Sequence, residues 1–211
     1  SSDQLSITGK ADDPLWKMAH ILTDFGSPWR ELHNTTTEFR ALWDDENLYF
    51  MFRVSDTSIH IDKKGIGNES INVSDRVELF FRLDDSLTPY YCLEIDPTPR
   101  IMDFKALPKR VFDFNWKWPE SHLIVKSHCD TNGFIVEGSI SRVSLEKLNL
   151  IQNNKIETGI FRAKYEKVDT SVYEPIWISW VDPKTETPNF HIASSFGTLI
   201  LGDRNPNFPD K

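Results

Sequence analysis

The chain is poor in cysteine, in glycine and in net positive charge. Two cysteines, Cys92 and Cys129, in 211 residues cannot build a thiolate zinc cluster, and there is no Cys-x-x-Cys pair. They read either as one disulfide in an oxidising compartment or as two free thiols. Gly65-Ile66-Gly67 lacks a third glycine and a helix after it, which argues against a dinucleotide-binding turn. Gly-x-Ser-x-Gly and His-Glu-x-x-His are both missing, and the six histidines show no close metal-ligand spacing. No apolar run approaches the roughly 20 residues that a membrane-spanning helix needs. With 24 basic against 32 acidic residues, the net charge of −8 has the wrong sign for holding a nucleic-acid backbone. The opening Ser1-Ser2-Asp3-Gln4 has no apolar signal core, as expected where an export signal has been removed.

What the chain does have is a period of two. Leu48, Phe50, Phe52 and Val54 alternate with Tyr49, Met51 and Arg53, and Val77, Leu79, Phe81 and Leu83 alternate with Arg76, Glu78, Phe80 and Arg82. Further strands are predicted near 36–43, 90–96, 123–129, 134–141, 157–166, 175–181 and 197–202. Asp44-Asp45-Glu46-Asn47 between two of them is turn chemistry. Helical signals are limited to a turn or two at Ser144–Leu148, with Ser144 as N-cap, and a short start at Pro14. Segments 56–74 and 183–195 read as long loops, of the kind that carry function. The fold class expected is all-β: an antiparallel β-sandwich, immunoglobulin-like or jelly-roll-like, with one or two short helices and a single domain over 1–211.

One sheet face is chemically unusual. Opposite the apolar layer, alternation places Arg76, Glu78, Arg82, Cys92, Glu94, Glu137, Arg162 and Lys164, with Trp177 among them. An indole beside charged and hydrogen-bonding groups suits a sugar, whose C–H face stacks on an aromatic ring while its hydroxyls need donors and acceptors. The other reading is a solvated face laced with cross-strand ion pairs. Trp16, Trp43 and Trp180 read as core. Trp29, Trp116, Trp118 and the loop residue Phe190 are candidate contacts or plugs at one end of the sandwich. Asp44, Asp45, Asp56 and Asp62, all near turns, are candidate calcium ligands without EF-hand spacing.

The ordered signatures resemble carbohydrate-binding module family 9 and its family-9-like relatives, within the DOMON-like sandwiches. They are Ile7-Thr8-Gly9-Lys10 leading to Leu15-Trp16; Ala41-Leu42-Trp43-Asp44-Asp45-Glu46-Asn47-Leu48-Tyr49 ending at Val54-Ser55-Asp56; and Asp75-Arg76-Val77-Glu78-Leu79-Phe80. Gly133-Phe134-Ile135-Val136-Glu137 with Ile140, Ser179-Trp180-Val181-Asp182-Pro183 and Phe196-Gly197-Thr198-Leu199 complete the set. The resemblance implies a non-catalytic, exported sandwich that binds sugar ends and is often attached to, or encoded beside, a glycan-degrading enzyme. It implies two tryptophans sandwiching the ring, with a Glu and an Arg on its hydroxyls, and calcium in some relatives. The Glu carries over to Glu78. The expected tryptophans fall near Asn72 and Phe190, and the expected arginine near Cys92, so the aromatic sandwich is not reproduced. Arg76, Arg82 or Arg162 are candidates for the missing donor, and Trp177, Trp116 or Trp118 for a different platform.

The leading expectation is therefore a carbohydrate ligand held by Glu78, Trp177, Phe190, Asn72, Arg76, Arg162, Trp116 and Trp118, with no catalytic residue. The rivals are a structural sandwich with a decayed sugar site, a haem-binding sandwich using Met51, Met102 or His128, and a hydrolase built on Asp75 and Glu78.

Overall fold

The computed structural model describes residues 4–202, so the two ends of the 1–211 span lie outside it. The strands in chain order are β1 (Ile21–Leu22), β2 (Thr35–Trp43), β3 (Asn47–Asp56), β4 (Arg76–Arg82), β5 (Tyr90–Ile95), β6 (Ile101–Leu107), β7 (Val111–Asp113), β8 (Leu123–Cys129), β9 (Gly133–Ser141), β10 (Lys155–Asp169), β11 (Val172–Ser179) and β12 (Gly197–Ile200). Two short helices, α1 (Asn68–Asn72) and α2 (Arg142–Lys147), interrupt them. One sheet has five strands in the order β1-β2-β3-β9-β8. The other has seven, β11-β10-β4-β5-β6-β7, with β12 also paired to β10. Every pairing among the named strands is antiparallel. The fold is the expected all-β sandwich.

The expected alternation decides the layers. Phe50, Phe52 and Val54 of β3 meet Val77, Leu79 and Phe81 of β4, with Leu93, Ile95, Ile156 and Ile160, in the main core between the sheets. Each such side chain contributes about 1.5–3 kcal/mol on burial. Gly133 marks one limit of the pairing: at φ +155° a Cβ there would stand 1.9 Å from the Val54 carbonyl oxygen.

Two smaller clusters cover the outer faces. On the five-stranded sheet, the N-terminal segment packs Leu5 and Trp16 onto Tyr49 and Met51. Glu137, expected on the unusual face, lies here instead, because β9 belongs to this sheet. Its buried carboxylate accepts from the Trp16 indole at 2.7 Å and from the Gly9 and Thr8 amides at 2.5 and 3.1 Å. On the seven-stranded sheet, Ile71, Phe80, Tyr90, Cys92, Met102, Phe104, Phe161, Phe190 and Phe196 form a second cluster.

Several boundaries differ from expectation. α2 is capped by Ser141, whose hydroxyl accepts from the Ser144 amide at 3.1 Å, so Ser144 is inside the helix and its own hydroxyl takes the Trp118 indole. Segment 56–74 contains α1. β1, β6 and β7 lie outside the expected strands, and β6 contributes to the floor of the hollow described below. Cys92 is buried and Cys129 exposed, both as free thiols.

Candidate functional site

The outer face of the seven-stranded sheet carries a hollow of about 570 Å³. Its floor comes from three adjacent strands: Arg76 and Glu78 from β4, Glu94 from β5, and Met102 and Phe104 from β6. These residues share a face because the registers pair Glu78 with Glu94 and Glu94 with Met102. Trp177 rises from β11, Phe190 and His191 from the 183–195 loop, and Arg110, Phe112 and Phe114 from the β6–β7 hairpin and the residues after it. Asn68, Glu69 and Asn72 of α1 form the remaining rim.

The aromatic walls are fixed by packing. Phe190 stacks on Phe161 at 4.1 Å with planes 10° apart, and Trp177 stands edge-on to Phe190 at 5.7 Å and 89°. Behind them, Trp29 packs 6.0 Å from Phe190 and donates its indole N–H to the Thr185 carbonyl at 2.8 Å. The loop is tied down: the Ser195 hydroxyl reaches the Phe190 and Ile192 carbonyls at 2.6 and 2.8 Å, and Arg82 reaches the Ala193 carbonyl at 2.8 Å. Across the hollow, Phe104 packs on Phe112 at 5.0 Å and on Phe114 at 4.9 Å. The indole of Trp177 is half-buried, which leaves part of it open to a ligand.

Charge is concentrated at the floor. Arg76 Nε lies 2.6 Å from Glu94 and 2.9 Å from Glu78, its Nη1 donates to the Asn72 carbonyl at 2.9 Å, and its guanidinium sits 5.5 Å from the Trp177 ring. One cation thus serves two buried carboxyls. Burial first, and their mutual repulsion second, hold the Glu78 carboxyl above its usual range; for Glu94 burial is the cause, and Arg76 offsets part of each shift. The pair therefore takes up a proton more readily than isolated carboxylates do. Glu78 Oε1 is buried beside Arg76 without a well-aligned hydrogen bond. His191 is pushed down to about 3 by burial and by the Arg110 and Arg76 charges, so it stays neutral, with Nδ1 3.0 Å from the Tyr90 hydroxyl.

Of the residues expected to act together, Glu78, Arg76, Asn72, Trp177 and Phe190 line this one hollow. Three others do not, and these placements correct the expectation. Arg162 faces the sandwich interior, where it reaches Asp56 at 2.5 Å and Thr35 at 2.6 Å; Lys164 joins Asp56 at 2.6 Å. The polar phase does not mark the outer face here because β10 is buried on both faces over 158–165, and a carboxylate from β3 makes burial of these cations favourable. Trp118 lies in the main core against Phe81 and Trp116 packs on Tyr91, so neither reaches the hollow. Arg82 is on the correct face but is engaged by Asp85, Glu157 and the Phe196 ring.

Met102, Phe104, Glu94, Arg110, Phe112, Phe114 and His191 also line the hollow. The alternation of Met102, Phe104 and Ala106 against Asp103 and Lys105 was the signal that could have identified β6. Arg110, on the β6–β7 turn, has no such signal.

The alternatives fare less well. Asp75 is fully buried and hydrogen-bonded to the Tyr165 amide at 2.5 Å, on the strand face opposite Glu78, so the two carboxyls do not face each other across a cleft. Met51 and His128 belong to the five-stranded sheet and Met102 to the other, so they share no haem pocket. Three of the four candidate calcium ligands are already engaged by other groups. Asp56 is taken by Arg162 and Lys164, Asp44 by the Glu46 and Asn47 amides, and Asp62 by the Lys64 and Gly65 amides. Among the described residues, no group of three or more His, Cys, Asp or Glu is placed to hold a metal.

A family model described as "Carbohydrate family 9 binding domain-like" matches residues 7–204. No curated protein matches. Among solved structures, the fold is similar to that of a family 9 carbohydrate-binding module from Caldicellulosiruptor kristjanssonii, determined with glucose and with cellotriose. The identity is 19% in both; the matches cover 97% of this chain and 94% or 92% of that one, with TM-scores of 0.62 and 0.63. It is also similar to a presumed carbohydrate-binding protein from Bacteroides uniformis, at 15% identity over 87% of each chain and a TM-score of 0.67.

Proposed function

The chain belongs to the carbohydrate family 9 binding domain-like family, and from that premise we propose that it binds a saccharide in the β4–β5–β6 hollow without chemically altering it. The observation that carries this reading is the meeting of Trp177 and Phe190 with the Glu78–Arg76–Glu94 floor in one hollow. A pyranose laid against the half-buried indole stacks its C–H face there, and its hydroxyls meet the shared carboxyls below. Asn72 at the rim adds an amide in place of a second ring, so the sugar is gripped from one side more than from both. A small polar ligand held this way has an expected Kd of about mM to µM. We extend the proposal to residence outside the cell or in the periplasm, as one module over the whole chain, beside a glycan-degrading partner.

Titration calorimetry with glucose and cellotriose tests the site. Trp177→Ala and Glu78→Gln are expected to lower affinity at least about tenfold, the scale of one stacking or charged hydrogen-bond contact. Heats unchanged in both variants would remove this hollow as the site. A blank response from the unaltered protein to a broad set of glycans would favour the sandwich with a decayed site, the reading to which Asn72 in place of a ring would then belong.

A further inference from the structure

A second hollow, of about 530 Å³, lies on the same sheet and is not part of the site above. Its lining includes His60, Tyr165, Tyr173, Lys63 and Lys64, with one carboxylate, Asp62, among them. Tyr173 is four residues before Trp177 on β11 and has the same phase, so the two rings are on one face, about 13 Å apart along the strand. Between the hollows stands the end of α1, where Tyr165 donates its hydroxyl to the Asn72 carbonyl at 2.6 Å.

Three features make this hollow more than a gap between loops. The His60 ring stacks on Tyr173 at 3.6 Å with planes 21° apart, while Tyr173 keeps 37% of its surface exposed. Burial lowers the His60 pKa, so the ring is a neutral partner that stiffens the platform. His60 is itself anchored, its carbonyl accepting from the buried Asp75 amide at 2.8 Å.

Charge sets the hollow apart as well. Among the described residues, neither the Lys63 nor the Lys64 ammonium has a carboxylate within ion-pair distance, in a protein whose net charge is −8. The carboxylate nearest them in sequence, Asp62, is occupied by the Gly65 amide at 2.8 Å and the Lys64 amide at 3.2 Å. In the first hollow the buried cation Arg76 already has two carboxylates, and Arg110 lies over the Phe112 ring at 5.6 Å.

We propose that this hollow is a second saccharide position, and that it takes a sugar bearing a negative charge, a uronate carboxylate or a sulfate ester. The Tyr173–His60 platform receives the ring face, and Lys63 and Lys64, compact charges on flexible stems, receive the anion without demanding a planar partner. Thr170 and Ser171 line the remaining edge. The ligand class rests on the carbohydrate reading of the first hollow, but the position does not depend on it.

The test is calorimetry of the whole chain with tetragalacturonate, a sulfated chondroitin tetrasaccharide and cellotriose. Either acidic probe is expected to bind, with affinity falling as salt rises. Lys63→Ala with Lys64→Ala, both exposed and so safe for folding, is expected to cost about tenfold toward that probe, as is Tyr173→Ala. Trp177→Ala is expected to spare it. Binding of the uronate or of the sulfated probe identifies which anion is read. If cellotriose binds and both acidic probes do not, the second position is overturned and the first hollow stands. If an acidic probe binds but is lost with Trp177→Ala and indifferent to the lysine pair, the second position is overturned as well.

Discussion

Arg76 holds two carboxyls that one cation cannot fully neutralise, and this makes it the residue on which the floor depends. Arg76→Met would leave Glu78 and Glu94 buried and facing each other without a counter-charge. The expected cost is about 3–5 kcal/mol of stability, the range for breaking a buried pair from one side, and it is read from denaturant midpoints. Double replacement with Glu94→Gln is expected to recover part of the loss. Asp75 supplies a pH prediction. Burial raises its pKa to about 7, against the opposing pull of the Tyr165 amide, Arg162 and Lys164. The folded state therefore holds a proton that the unfolded chain releases near pH 4, so this group's contribution is complete below that point and is lost as pH rises to about 7. Relative to the unaltered protein, Asp75→Asn is expected to gain in Tm between pH 4.5 and 7.5, by about 2–4 °C for each kcal/mol relieved. The difference between the two proteins isolates Asp75 from His191, which is held neutral by burial and runs in the opposite direction.

The 183–195 loop is the element that turns a sheet face into a hollow. Its rigidity comes from short bonds, chiefly the buried Ser195 hydroxyl on the Phe190 and Ile192 carbonyls. Ser195→Ala removes both bonds, at about 1 kcal/mol. The expected result is a modest loss of stability and a several-fold weaker sugar affinity, because Phe190 must then be ordered on binding. Crystallographic or NMR order at Phe190 checks the cause. Equal affinity with a mobile Phe190 would show that the ring is not a contact.

At the scale of the molecule, the two sheets are joined by more than apolar packing. Arg162 and Lys164 of β10 meet Asp56 of β3, all three buried, and Arg162 also reaches the half-buried Thr35 of β2. Arg162→Leu is expected to cost about 3–5 kcal/mol, since Asp56 loses one of its two cations. Saccharide affinity, measured well below the midpoint, is expected to be unchanged because the network is on the opposite face of the sheet from the hollow. A parallel loss of binding and stability would place Arg162 in the site after all.

The local pattern determined the class of fold, most strands, the polar phase of Glu78 and Arg76, and the presence of Trp177 among charges. It did so because a strand's two faces are set by its own residues, and an alternation of Leu and Phe with Glu and Arg needs no partner to be read. It did not determine which sheet a strand joins. Glu137 and Glu78 have similar local settings, yet β9 and β4 belong to opposite layers. Nor could it show that Arg162 is buried, since a charge goes inward only where a distant carboxylate such as Asp56 waits for it. Phe190 was legible as a loop aromatic, but its meeting with the β6 floor and the Arg110 turn was decided by tertiary structure alone, because a hollow is made by segments far apart in the chain, and no residue in any one of them records where the others will lie.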